Sequence, residues 1–167
     1  AKKRLIEKGF HIVHNNSLFR NWGYLAGEDD VRASELMKYF KDKSVKAIFP
    51  GTGGYGATRI LSLLDYNIIK ENPKIFIGFS DITALHIAMN NHSNLVTFHT
   101  PNPMYGIGSK NGLEPISELY FWSLLMNSED SYEIPFDIYG DSLMVKILVP
   151  GISSGVLVGG NLSLICS

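Results

Sequence analysis

A single cysteine, Cys166, leaves nothing with which to close an internal disulfide, so packing has to hold this chain together. Unpaired cysteine also fits a reducing, cytoplasmic setting. Neither sign of charge dominates. Fifteen Lys and Arg face sixteen Asp and Glu, and a net charge of -1 provides no electrostatic footprint for nucleic acid or an anionic membrane. No apolar run approaches the ~20 residues that span a bilayer, and no signal-peptide pattern is visible. Cys, His, Asp and Glu nowhere gather at metal-ligand spacing, so no metal and no cofactor are expected. Repeats and low-complexity tracts are missing as well. What is present is the composition of a globular domain: 45% hydrophobic and 19% charged over 167 residues, enough for one real core.

Apolar segments alternate between two periods. Residues 10–14 (FHIVH), 44–50 (SVKAIFP), 74–79 and 95–99 read as strands. Between them Val31, Leu36, Met37 and Phe40 recur at helical spacing after Asp29 and Asp30, whose charges suit a helix start. Residues 60–64, 65–72 and 82–89 read as further helices, the second stopped before Pro73. The near-continuous apolar run at 75–79 suits a strand covered on both faces. A βαβα alternation with short connections predicts an α/β domain, its parallel sheet flanked by helices.

Beyond Pro101 the character changes. PNPMYGIGSKNG is irregular, 113–126 reads as a helix, and 144–149 and 156–158 read as strands. The opening AKKRLIEKGF reads as the back of a helix, and the closing GVLVGGNLSLICS stops within an apolar segment. Both ends therefore suggest a fragment of a longer protein.

Two junctions carry chemistry. In PGTGGYGATR (50–59) glycines stand at 51, 53, 54 and 56 between a strand and a helix. Such a loop exposes backbone N–H groups that hold an anion or polarise a carbonyl. It fails the phosphate-loop motif, because Ala57 and Thr58 follow Gly56, and it matches the dinucleotide motif only loosely. A tight turn for strand–helix packing explains it equally well. Tyr55 either lines a cleft or covers the sheet edge.

In IGFSD (77–81) Ser80 stands where a strand becomes a helix. A hydroxyl held there points away from the sheet beside free N–H groups, the arrangement of a nucleophile elbow. The usual glycine two residues later is replaced by Ile82. The bland alternative is a helix cap by Ser80 or Asp81. A nucleophilic serine needs a base. His86 points elsewhere, and His11 and His14 read as packed or solvated. His99 ends the next strand at the same sheet edge as Ser80, where ligands bind in open α/β folds. No histidine has an evident carboxylate to orient it.

Five segments in order resemble the LD-carboxypeptidase family of serine peptidases, which includes the microcin C self-immunity peptidases: 23–36 (GYLAGEDDVRASEL), 45–66, 72–89, 96–101 (VTFHTP) and 157–166 (LVGGNLSLIC). The resemblance implies a flavodoxin-like nucleophile domain at 1–105 whose opening strand is missing. It implies an interdomain segment at 106–150 and the start of a second domain at 151–167. It makes Ser80 the nucleophile and the Asp81 and Gly54 N–H groups the oxyanion hole, with Thr52, Gly53, Tyr55, His99 and Thr100 around the cleft. The Glu and His that complete the triad would lie beyond Ser167. It implies cleavage of an L,D-amide in a small peptide, releasing D-alanine from cytoplasmic murein tetrapeptide, and a homodimer of the full-length protein. Two positions depart from the family pattern: Thr52 where arginine is usual, and Thr100 where glycine is common. Thr52 keeps a microcin-type amide substrate open. Outside the family, a non-catalytic module holding a small ligand stays an alternative.

Overall fold

The computed structural model describes residues 1–127 and 147–167. Three parallel strands form its sheet in the order β1 (Ala47–Ile48), β2 (Ile75–Gly78), β3 (Phe98–His99). Ala47 pairs with Ile75 and Ile48 with Phe76, and on the other edge of β2 Ile77 pairs with Phe98 and Gly78 with His99. Parallel neighbours need crossovers. Helix α3 (Tyr66–Glu71) lies between β1 and β2, and α4 (Thr83–Ser93) between β2 and β3. The expected α/β class with a helix-flanked parallel sheet is thus observed.

The central strand is apolar because both of its faces are covered. Phe76 and Ile77 are fully buried, and Phe76 stacks on Phe40 of α2 (Asp29–Lys41) with ring centroids 6.3 Å apart. Ile69 of α3 and Met89 of α4 complete this core. Helix α2 carries Asp29 and Asp30 in its first turn and Lys38 and Lys41 in its last, opposing its dipole at both ends. Asp65 Oδ1 accepts the Asn67 and Ile68 N–H groups at the start of α3, and α3 ends before Pro73. Asn94, in the left-handed conformation, closes α4.

The N-terminal helix α1 (Lys2–Glu7) positions a distant loop. The Arg4 guanidinium donates to the carbonyls of Ile107 and Ser109 at 2.6 Å each and of Lys110 at 2.8 Å. That loop contains a kinked helical turn, Pro103–Ile107, whose Met104 N–H donates to the Gly51 carbonyl at 3.0 Å.

Two expected strands do not form. Residues 10–14 are irregular, and so are 156–158, whose side chains are largely exposed. Alternation of apolar residues supplies a face but no ladder partner, and no described strand pairs with either segment. Of the strand expected at 144–149, residues 144–146 lie outside the described residues, and 147–149 are irregular.

The chain forms two compact units. One comprises residues 1–114 and 158–167, the latter including the short helix α6 (Leu162–Ile165). The other comprises 115–157 and carries α5 (Pro115–Met126), in which Trp122 Nε1 donates to Glu118 Oε1 at 3.2 Å.

Candidate active site

Ser80 directly follows β2 and Phe79, opening a turn of 3-10 helix, Ser80–Ile82, that leads into α4. Its φ is +61°, one of two positive values at non-glycine residues among the described residues. An L-residue in this region costs about 1–2 kcal/mol, so the surrounding structure has to impose it. The Ser80 hydroxyl makes no hydrogen bond among the described residues and caps no helix. Asp81 does not cap α4 either. Its buried carboxylate reaches across the site, and Oδ2 accepts the Ala57 N–H at 2.8 Å. The cap reading of this pair therefore fails: one side chain is free, and the other binds the glycine loop.

That loop lies against the serine turn. A Cβ at Gly53 would stand 3.0 Å from the Phe79 carbonyl oxygen, 3.1 Å from Ser80 Cβ and 3.2 Å from the Asp81 nitrogen. A side chain at this position would force the loop and the serine turn apart by a few tenths of an ångström. Gly54 has φ +97° and faces open space. Neither the Gly54 nor the Asp81 N–H donates to a backbone or side-chain acceptor among the described residues. The serine turn and the glycine loop packed on it thus each hold a backbone donor that has no acceptor among the described residues, the kind of group that an oxyanion site requires.

The far end of the loop is braced by charge. Arg32 Nη2 donates to the Gly56 carbonyl at 3.0 Å and pairs with Asp29 at 2.5 Å, and Arg59 Nη2 pairs with the same carboxylate at 2.8 Å. Hydrogen bonds from Arg59 and then Arg32 hold the Asp29 carboxyl below its ordinary range. Sequence reasoning missed this brace. The three-residue spacing of Asp29 and Arg32 on a helix was its available signal.

Tyr55 is exposed and meets the exposed Tyr24 edge-to-face, centroids 6.3 Å apart. Thr52 is half-buried between Gly51 and Gly53. On the other side of β2, His99 is exposed and in register with Gly78, and the Thr100 N–H donates to the Gly78 carbonyl at 3.0 Å. Seven of the eight expected residues therefore sit on the connections that leave the C-terminal ends of the three strands, and His99 is the last residue of β3.

The same carbonyl faces His86 Nε2 at 3.0 Å. That bond assigns the proton to Nε2 and leaves Nδ1 buried without a partner among the described residues. Burial holds the His86 imidazole below its ordinary value, the Gly78 bond opposes this, and nearby His99 adds to it. The two imidazole centroids are 6.1 Å apart. Among the described residues no carboxylate orients either ring. His86 therefore supports the strand end and makes no bond to Ser80. A separate cleft of about 450 Å³, lined by Met37, Lys41, Leu63 and Asp65 among others, contains none of the expected residues.

Residues 1–100 match the family described as the LD-carboxypeptidase N-terminal domain. The chain is 39% identical over 163 residues to a Bacillus subtilis protein named "Probable murein peptide carboxypeptidase", covering 98% of this chain and 49% of the relative. Among solved structures it resembles the microcin C7 self-immunity protein MccF in complex with aspartyl sulfamoyl adenosine, with a TM-score of 0.74 and 29% identity over 89% of this chain and 46% of that one. A muramoyltetrapeptide carboxypeptidase from Oxalobacter formigenes, at 24% identity over 75% of this chain and 42% of that one, with a TM-score of 0.68, bears on the fold alone. The chain spans about half the length of these relatives.

Proposed function

The chain belongs to the LD-carboxypeptidase family, and on that premise we propose that Ser80 is the nucleophile of a serine peptidase that releases terminal D-alanine from cytoplasmic murein tetrapeptide. The observation that carries this reading is the Ser80 turn itself: a strained φ of +61° and an unbonded hydroxyl, with Gly53 packed on its backbone. Strain without a structural use for the side chain is what a positioned nucleophile looks like.

In this reading Ser80 Oγ attacks the carbonyl carbon of the L,D-amide. The developing oxyanion lies between the Asp81 and Gly54 N–H groups, which cost no reorganisation because nothing else uses them. A general base takes the hydroxyl proton and returns it to the leaving amine of D-alanine. His99 has no orienting carboxylate among the described residues, and the family resemblance implies that the base is a histidine, paired with a glutamate, beyond Ser167 in the full-length protein. The full-length protein is proposed to act as a homodimer.

Thr52 supports a second reading. Without the cation usual at this position, Thr52 offers no charge to a peptide carboxylate. A microcin-type aminoacyl amide is the substrate in this reading, and the similar MccF structure is a complex with aspartyl sulfamoyl adenosine. Hydrolysis of an L,D-tetrapeptide and of an aminoacyl sulfamoyl adenosine by the full-length protein separates the two. Ser80→Ala abolishes turnover of whichever is cut and leaves the fold intact. Full activity in that variant rules out the serine mechanism.

A further inference from the structure

Thr83 opens α4, three residues after Ser80, and is fully buried. Its Oγ1 accepts the backbone N–H of Asn161 at 2.9 Å, from a segment 78 residues away in the chain. Next to that bond, Gly160 has φ +143°, and a Cβ there would stand 2.4 Å from Thr83 Cγ2 and 2.7 Å from Oγ1. Residue 160 therefore has to be glycine on two independent grounds, conformation and space. Asn161 then starts α6, which packs against α4. The backbone of 160–161 is thus seated on one side chain at the N-terminal end of the helix that carries the serine turn.

We propose that Thr83 is a positioning residue: its hydroxyl sets the register of the 158–167 segment against the Ser80 turn, so that groups attached through that segment meet the serine at the correct distance. The catalytic consequence rests on the reading above, in which the base lies beyond Ser167. A valine at 83 fills nearly the same volume, so packing alone does not require a hydroxyl there. What valine lacks is the acceptor for the Asn161 N–H. The Asn161 N–H is half-buried, and without this acceptor the segment moves to pair it with another group or with water. Small displacements of one reacting group relative to another have large effects on rate.

The test uses the full-length protein with Thr83→Val, Thr83→Ser and Gly160→Ala. Hydrogen exchange over 158–165 is read first. Thr83→Val and Gly160→Ala are expected to exchange about tenfold faster there, with Thr83→Ser close to wild type. Steady-state kinetics on whichever of the two candidate substrates is cut are read second. Thr83→Val and Gly160→Ala are expected to lower kcat about tenfold or more, with KM changed less than about threefold, while Thr83→Ser restores kcat. Unchanged exchange in Thr83→Val overturns the proposal, and so does a wild-type kcat despite faster exchange. A kcat loss in Thr83→Ser equal to that in Thr83→Val overturns it as well. Should Thr83→Val fail to fold, Gly160→Ala carries the same two readings, because it displaces the segment with the hydroxyl in place. Absence of turnover in the wild-type protein sinks the peptidase reading instead, and the exchange comparison of valine with serine then decides the register role alone.

Discussion

Asp81 Oδ2 accepts the Ala57 N–H at 2.8 Å, and this bond joins the serine turn to the far side of the glycine loop. It fastens two connections that leave neighbouring strands, and so fixes the spacing between Ser80 and the N–H groups of the loop. A buried bond to a charged acceptor is worth about 1.5–3 kcal/mol. Asp81→Ala is expected to lower unfolding stability by about that amount in urea, and to lower kcat as well. Asp81→Asn keeps an acceptor oxygen and is expected to lose less than about 1 kcal/mol. Equal losses in the two variants would show that the Ala57 bond does not matter.

The backbone of Ser80 yields a second expectation. Glycine adopts φ +61° without the penalty that serine and alanine share. Ser80→Gly is therefore expected to be more stable than Ser80→Ala by about 1 kcal/mol, less the entropy glycine adds to the unfolded chain. Both variants are inactive under the proposed mechanism. Thermal unfolding of the pair checks this, and a glycine variant clearly less stable than the alanine one contradicts the strain.

Neighbouring glycines of the loop separate space from conformation. Gly53→Ala places its Cβ 3.0 Å from the Phe79 carbonyl oxygen and 3.1 Å from Ser80 Cβ, so the loop has to retreat from the serine. Overpacking of this kind costs about 1–3 kcal/mol, and activity falls with it. Gly54→Ala meets nothing within 4 Å, and its burden is φ +97° alone. We expect Gly54→Ala to retain the Ser80 geometry and to lose mainly stability. Crystal structures of the two variants, with unfolding curves, check the contrast.

His86 predicts a pH dependence of stability. Its folded-state value lies below the ordinary imidazole value of 6.5, chiefly through burial, so the unfolded chain binds the proton more readily. Its contribution is fully present above about pH 6.5. It is lost as the pH falls from there through the lower folded-state value. Protonation would also place an N–H on Nδ1, which has no buried partner. His86→Gln is expected to flatten this part of the stability profile between pH 7 and pH 5, read by urea unfolding at each pH. An unchanged slope assigns the loss to other groups.

Much of the fold could be read from local pattern. The apolar run ending at Gly78, the helical spacing after Asp29 and the cap at Asp65 each reflect preferences that operate within a few residues. The strand expected at 10–14 shows the limit of that reasoning. FHIVH has strand composition, yet a strand exists only where another strand supplies its hydrogen bonds. The helical segment at 162–165 was missed for the complementary reason. Four residues are too few to show a period, and this turn packs on α4.

For the site, the sequence by itself determined where the parts lie: a glycine loop after one strand, a serine after the next, a histidine at the end of the third. It left Ser80 open between cap and nucleophile, because both roles use the same residue types at the same junction. Tertiary structure decided between cap and free hydroxyl. Ser80 has φ +61° and its hydroxyl no hydrogen bond among the described residues, and the Asp81 carboxylate is committed to Ala57, 24 positions away. The use of Thr83 was likewise invisible, since its partner is a backbone N–H 78 positions distant. Short-range preferences choose the element a residue belongs to. Which partner its side chain meets depends on how those elements pack, and that is specified by the core as a whole.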